Sequence, residues 1–294
     1  GVARHPQAED IREGRILVER QGSMPERLAC DVIEDDAFTA EVAPDFLFLA
    51  TKNPVAPSVR HYYKQGQQEK PPDLILSQNG VVAAEEARTE LEGIFGVRAD
   101  AIRILRVSLL NPVSVRRADN KTVIAYFAPV RLAFGVASGP DETQDLLELF
   151  LGAGIEAEAV ASCDVKNMEF SKLFTNLLGV PSAAHGLTIE EGFADRAVFE
   201  EEIRALREYA QVVKRSEGTF LNLRHFPTGL YATLLSTVPI PILSLLRKQI
   251  ATVITKGRGS KEKGNIDEID YYSGAVVSIG ERLGVETPVN RKIY

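Results

Sequence analysis

Apolar residues in the first half of the chain fall into short unbroken runs separated by polar, periodic stretches. DFLFLAT (45–51) and DLILSQ (73–78) predict strands buried on both faces, of the kind a parallel sheet contains. The intervening PSVRHYYKQG has helical character. IRILRVSLL (102–110) and KTVIAYFAPVRLAFGV (121–136) predict further strands, ETQDLLELFLGAG a helix, and IEAEAVAS another strand. Alternation of strand and helix predicts an α/β fold for this half.

From about Asp164 onward the strand pattern stops. Phe199, Ile203, Leu206, Ala210 and Val213 mark one face of a long helix that is acid-rich at its start, ends in Lys214-Arg215 and stops before Gly218. Near the C-terminus, Ile269, Tyr272, Val276, Ile279 and Leu283 recur at helical spacing, with Glu268 and Asp270 placed in or near the first turn. The expected organisation is a nucleotide-type sheet domain over 1–163 and an all-α domain over 164–294, with ligands in the cleft between them. The run FPTGLYATLLSTVPIPILSLL (226–246) is uncharged and nearly long enough to cross a membrane. Pro239 and Pro241 break it, so a buried helix–turn–helix is expected and membrane contact is not. The same segment offers a surface on which helical domains could pair as a homodimer.

Composition narrows the function classes. The 294 residues carry a formal charge of −7, and the 34 basic residues are scattered, which argues against a nucleic-acid partner. Two cysteines, Cys30 and Cys163, build no disulfide framework, and with four histidines they form no metal-ligand spacing, so no metal is expected. Thiol usage and a polar opening GVARHPQAED without a signal peptide point to the cytoplasm. GAGIEA (152–157) follows a helix and precedes a strand, the reverse of what a phosphate-binding turn needs.

Five pieces, in order, resemble the ketopantoate reductase family: VAR at 2–4, ATKN at 50–53, QNGV at 78–81, FSKLFTN at 170–176, and EIDYYSGAVV running on to TPVN at 268–290. The resemblance implies a Rossmann domain followed by a helical domain, and NADPH-dependent reduction of a 2-oxo acid, foremost 2-dehydropantoate (ketopantoate) to pantoate. A Rossmann domain opens with a strand and a glycine-rich turn. The family's Val-x-Arg falls at Val2–Arg4, so the sequence is expected to begin about one strand, turn and helix late, roughly 20 residues of fingerprint spacing.

The resemblance also implies roles. Lys172 is the expected general acid, and Glu268 the active-site carboxylate that helps hold the substrate and the lysine's charge state. Asn176, one helical turn beyond Lys172, would bind the substrate, and Ser260, in the departing loop KGRGSKEKGN, is a candidate for its carboxylate. Arg4 would grip the ribose 2′-phosphate of NADP, while Lys52 and Asn79, at the carboxyl ends of strands, would serve the cofactor side. For Asn79 a second role, orienting Lys172, stands beside a cofactor contact, and Asn79-Gly80 also reads as a simple turn. Where the family often carries a second asparagine, this chain has Val180, which keeps a different 2-oxo acid open as substrate. A non-catalytic NADP-binding or interaction protein on the same fold is the alternative from another class.

Overall fold

The computed structural model describes residues 2, 3, 5–28, 30–34, 44–65, 70–224, 226–258 and 268–294. Arg4 and Ser260 therefore lie outside the described residues. The chain divides into two compact units, Gly1–Gln78 with Ala83–Ser162, and Asn79–Val82 with Cys163–Tyr294.

The first unit runs β1 (Val2–Ala3), α1 (His5–Arg12), β2 (Ile16–Arg20), β3 (Glu26–Arg27), β4 (Ile33–Glu34), β5 (Phe46–Leu49), α2 (Ala56–Gln65), β6 (Asp73–Leu76), α3 (Ala83–Phe95), β7 (Ile104–Leu109), β8 (Val113–Ala118), β9 (Lys121–Tyr126), β10 (Arg131–Ser138), α4 (Gln144–Gly152) and β11 (Glu156–Ala159). Its main sheet has the order β11-β10-β7-β6-β5. Strands β5, β6 and β7 are parallel, β10 is antiparallel to β7, and β11 is parallel to β10.

Alternation along the strands builds two cores. Leu74 and Leu76 of β6 face α2 and α3, joining Val55, Val59, Ala87 and Leu91, whereas Ile75 faces the other way into Leu105, Val107, Phe134, Leu146 and Phe150. Helix α3 presents Ala83, Ala87, Leu91 and Phe95 at four-residue spacing to the first of these. This mixed α/β sheet with helices is the architecture expected from the sequence.

Two readings of this half need correction. The stretch 121–136 is two strands in different sheets: β9 pairs with β2 and β8 in a sheet of order β3-β2-β9-β8, while β10 enters the main sheet. Pro129 between them supplies no backbone donor and marks the break. Strand β5 is not buried on both faces, because it ends the main sheet among the described residues and leaves Phe48 48% exposed.

The second unit contains α5 (Val165–Leu177), α6 (Val180–Ala184), α7 (Ile189–Ala194), α8 (Arg196–Arg215), a two-residue hairpin β12 (Asn222–Leu223) and β13 (Phe226–Pro227), α9 (Thr228–Thr237), α10 (Ile240–Leu245), α11 (Arg247–Arg258), α12 (Ser273–Leu283) and α13 (Pro288–Ile293). Its centre is α8, whose Phe199, Ile203, Leu206, Tyr209, Val212 and Val213 join Phe170, Leu173, Phe174 and Leu177 of α5 and Val276 of α12. Asp195 starts α8 by accepting from the backbone N–H groups of Ala197 and Val198.

Two buried glutamates of α8 cap other helices. Glu202, fully buried, accepts from Gly179 N, Ser182 N and Ser182 Oγ at the start of α6. Glu208 accepts from Val289 N, Asn290 N and Asn290 Nδ2 at the start of α13. A carboxylate meets orphan N–H groups and the positive end of a short helix in both places.

The uncharged segment is broken at Pro239 into α9 and α10, as expected, but it is only half buried. Ala232, Leu235 and Leu243 face the core while Leu230, Leu234, Ile242 and Leu245 are exposed. Among the described residues no helix is long and apolar enough to cross a membrane.

Candidate functional site

Helix α5 is almost wholly buried from Phe170 to Leu177, and Lys172 and Asn176 are the two half-exposed residues in that stretch. Their four-residue spacing puts them one turn apart on one face. Apolar neighbours on either side, Phe170, Leu173, Phe174 and Leu177, hold the helix in the core and fix the direction of that face. Thr175 donates to the carbonyl of Lys172 and so ties its hydroxyl back into the helix rather than toward that face.

The QNGV piece reaches the same unit. Val81 and Val82 pack into the helical core, and Lys166 Nζ donates to Val81 O at 2.6 Å, so Asn79–Val82 is clamped onto the start of α5. Gly80 sits at φ +93°, and a Cβ there would stand 3.4 Å from the carbonyl oxygen of Tyr271. That distance is ordinary van der Waals contact, so it is the positive φ, which only glycine adopts freely, and not a lack of room that calls for glycine here. Asn79-Gly80 is thus a turn, and the turn delivers Asn79 to polar partners.

Those partners form one chain of hydrogen bonds. Asn176 Nδ2 donates to Asn79 Oδ1 at 3.1 Å, and Asn79 Nδ2 donates to Glu268 Oε2 at 3.2 Å and to the Tyr272 hydroxyl at 3.1 Å. The Tyr272 hydroxyl in turn donates to Glu268 Oε2 at 3.1 Å. Residues from three remote stretches, 79, 176 and 268–272, therefore converge, and the donors run toward the Glu268 carboxylate, which when ionised only accepts.

Glu268 lies near the first turn of the terminal helix but not in it. Residues Ile269–Tyr271 make a 3₁₀ turn, Tyr272 breaks it with φ −106° and ψ −95°, and α12 begins only at Ser273. The half-buried Glu268 is aimed at Asn79 by this turn rather than held by a helix dipole. The closing TPVN serves the packing of the helical unit instead, since buried Asn290 donates to Ala205 O and to Glu208 and so locks α13 onto α8.

Lys52 belongs to the first unit, is exposed, and follows the carboxyl end of β5. At the carboxyl end of β6, buried Gln78 donates through Nε2 to Leu49 O and Thr51 O, and its Oε1 has no hydrogen-bond partner among the described residues. Buried Arg106 of β7 donates to Leu76 O and Gln78 O at 3.2 and 2.8 Å, fixing the strand end from the other side. Sequence patterning passes over Gln78, Arg106 and the Tyr272 hydroxyl. An arginine inside the apolar run IRILRVSLL is the available signal, since a buried guanidinium requires acceptors. Among the described residues no group of His, Cys, Asp and Glu could hold a metal ion.

The family described as ketopantoate reductase PanE/ApbA C terminal matches residues 164–294. No curated protein sequence matches the chain at a significant level. Among solved structures, a PanE/ApbA family ketopantoate reductase from Ralstonia eutropha JMP134 is 18% identical with a TM-score of 0.67, covering 99% of this chain and 87% of that one. A 2-dehydropantoate 2-reductase from Porphyromonas gingivalis W83 is 17% identical with a TM-score of 0.65, covering 100% and 86%. D-mandelate dehydrogenase in a ternary structure with NADH and anilino(oxo)acetate is 12% identical with a TM-score of 0.70, covering 99% and 86%. At these identities the structures establish the fold, a Rossmann-type domain followed by a helical one, and residues 164–294 match the family model described as ketopantoate reductase PanE/ApbA C terminal.

Proposed function

We propose that the protein is a nicotinamide-dependent reductase of a small 2-oxo acid, with NADPH as the electron donor. The observation that carries this reading is the chain Asn176–Asn79–Glu268, assembled on the same helical unit as the half-buried Lys172. Reduction of a 2-oxo acid needs a proton for the developing alkoxide and polar groups to hold the substrate's carboxylate and oxo oxygen. Lys172 is the proton donor in this reading, Asn176 the hydrogen-bond donor beside it, and Glu268 the carboxylate that fixes the amides and holds the substrate's hydroxyl once formed.

The residues present fit a nicotinamide nucleotide. Gln78 Oε1 is a buried acceptor without a partner among the described residues, at the carboxyl end of a parallel strand, where α/β sheets hold their ligands, and a ribose hydroxyl or a carboxamide N–H would satisfy it. Lys52 stands after the neighbouring strand, and Arg4, by the family resemblance, would select the 2′-phosphate. When bound, the cofactor supplies the hydride. Two exposed free cysteines suit a reducing cytoplasm.

Ketopantoate is the first substrate to test, and a second reading has its own support. Val180, where the family often has an amide, is 1% exposed within the helical core, so it offers the substrate no hydrogen bond. A D-mandelate dehydrogenase bound to NADH and anilino(oxo)acetate shares the fold, so an aryl-substituted 2-oxo acid is the alternative substrate to test. The assay is NADPH and NADH oxidation against ketopantoate, phenylglyoxylate and branched 2-oxo acids, in wild type and Lys172→Ala. Loss of a positioned general acid lowers kcat by roughly 10²–10⁴. Full activity in Lys172→Ala refutes the assignment, and NADPH binding without oxidation by any 2-oxo acid favours the non-catalytic alternative.

A further inference from the structure

We infer that Tyr272 is a positioning residue of this site: its hydroxyl pins the Glu268 carboxylate and the Asn79 amide together, and through Asn79 it sets the direction in which Asn176 presents its amide. This role rests on the reductase reading above and adds a residue to it.

Spacing alone assigns Tyr272 to the apolar stripe of the terminal helix, and its ring does pack in the helical core with 4% of its surface exposed. Packing explains the ring but not the oxygen. A phenol buried to this degree loses water, and that loss is offset only where the hydroxyl finds partners. Here it meets Glu268 Oε2 and Asn79 Nδ2, both at 3.1 Å, and those groups also bond each other at 3.2 Å. The three groups close a triangle.

The chemistry of the triangle gives each proton a place. The carboxylate only accepts, so the tyrosine O–H and the amide N–H both point to it, and the phenol oxygen accepts a second amide proton. An asparagine amide turned over by half a rotation has nearly the same shape and would place its oxygen against Glu268 and its N–H₂ against Asn176 Nδ2. Two oxygen acceptors on the Glu268 side disfavour that state, and Tyr272 supplies one of them. The consequence passes to Asn176, because its Nδ2 donates to Asn79 Oδ1 only while Asn79 keeps this orientation.

The backbone is arranged for the same end. Tyr272 lies at the junction of the 3₁₀ turn Ile269–Tyr271 and α12, with φ −106° and ψ −95°, so it leaves the turn that carries Glu268 and returns its side chain toward it. Gly80, at φ +93°, makes the turn that brings Asn79 within reach from the other side.

Tyr272→Phe keeps the ring and removes only the oxygen. Two readouts decide the role. The first is the side-chain amide NMR signals of Asn79 and Asn176 in ¹⁵N-labelled full-length protein, identified with Asn79→Ala and Asn176→Ala: both move and exchange faster in Tyr272→Phe. The second is turnover of the best 2-oxo acid, where kcat falls about tenfold, the worth of one hydrogen bond in a network, while KM moves less than about threefold. Adding Tyr272→Phe to Asn79→Ala then brings no further loss of kcat. Amide signals unmoved by Tyr272→Phe, or a kcat equal to wild type, overturn the inference and leave Tyr272 as packing. A wild type that turns over no 2-oxo acid overturns the reductase reading instead, and the amide signals still decide whether Tyr272 orders the asparagines.

Discussion

Glu208→Ala removes the acceptor on which the last helix is mounted. Its carboxylate, on a residue 9% exposed in the middle of α8, accepts from Val289 N at 2.8 Å, Asn290 N at 2.9 Å and Asn290 Nδ2 at 2.8 Å. Asn290 Nδ2 keeps a second acceptor, Ala205 O at 2.9 Å, so the substitution strands two backbone N–H groups rather than three donors. Each stranded N–H costs about 1–3 kcal/mol, and the lost interaction with the helix dipole adds up to about 1 kcal/mol more. Removing the carboxylate also removes the cost of burying it, which lowers the net loss to about 3–4 kcal/mol. For a chain of this size that lowers Tm by roughly 10 °C. Glu208→Gln retains one acceptor and turns a donor toward the N–H groups, so its loss should be smaller but plain. Calorimetry and urea unfolding of the two variants measure this directly. A loss under about 1 kcal/mol in Glu208→Ala would show that water or a backbone shift satisfies the start of α13, and the account of the TPVN ending as a clasp would fail.

Gly179→Ala should cost about 2–4 kcal/mol, because Gly179 is at φ +91° and a Cβ there would lie 2.5 Å from Ile189 Cγ1. Adding Ile189→Ala relieves the clash but not the backbone, so denaturation of the double variant should gain nothing over Ile189→Ala; full tolerance of Gly179→Ala would refute both parts. In the first unit, hydrogen bonds from Arg103 at 2.6 and 3.0 Å hold the Asp145 carboxyl below its ordinary value. A depressed carboxylate stabilises the fold above its unfolded value near pH 4, and this contribution fades as pH falls through the lower folded value. Stability measured from about pH 6 to about pH 2 should therefore fall less steeply on the acid side in Asp145→Asn, and identical slopes would count against the pairing.

Much of the fold is legible in the sequence because burial follows the repeat of each element. Leu74, Ile75 and Leu76 read as one apolar run, and the structure buries all three by giving alternate residues to two cores. Phe199 to Val213 read as one helical face, and it is the face around which the second unit is built. The failures have a common cause: hydrophobicity reports how apolar a run is, not which neighbour it meets. DFLFLAT is as apolar as DLILSQ, yet β5 ends its sheet among the described residues and exposes Phe48. The segment 121–136 is continuous in character, but its two strands belong to different sheets. The uncharged run 226–246 supplies more apolar surface than the core absorbs, which leaves Leu230, Leu234, Ile242 and Leu245 outside.

The site divides along a different line. Lys172 and Asn176 can be paired from spacing, since four residues on a helix share a face whatever surrounds them. The convergence of Asn79, Asn176 and Glu268, up to 189 residues apart, can be expected only through family resemblance, because no local pattern encodes contacts of that length. Tyr272 shows why even the resemblance falls short. Its ring satisfies the hydrophobic repeat so well that the repeat accounts for the residue entirely, and the hydroxyl, a single atom at the ring's end, carries no weight in such a pattern. The same argument applies to Gln78, which follows an apolar strand and looks like its polar end. What distinguishes both is a buried oxygen that must be matched: Tyr272 meets Glu268 and Asn79, while Gln78 Oε1 meets no partner among the described residues. A buried oxygen must be matched whatever pattern carries it, so hydrogen-bonding demand marks Tyr272 and Gln78 as polar positions inside stretches that hydrophobicity assigns to packing.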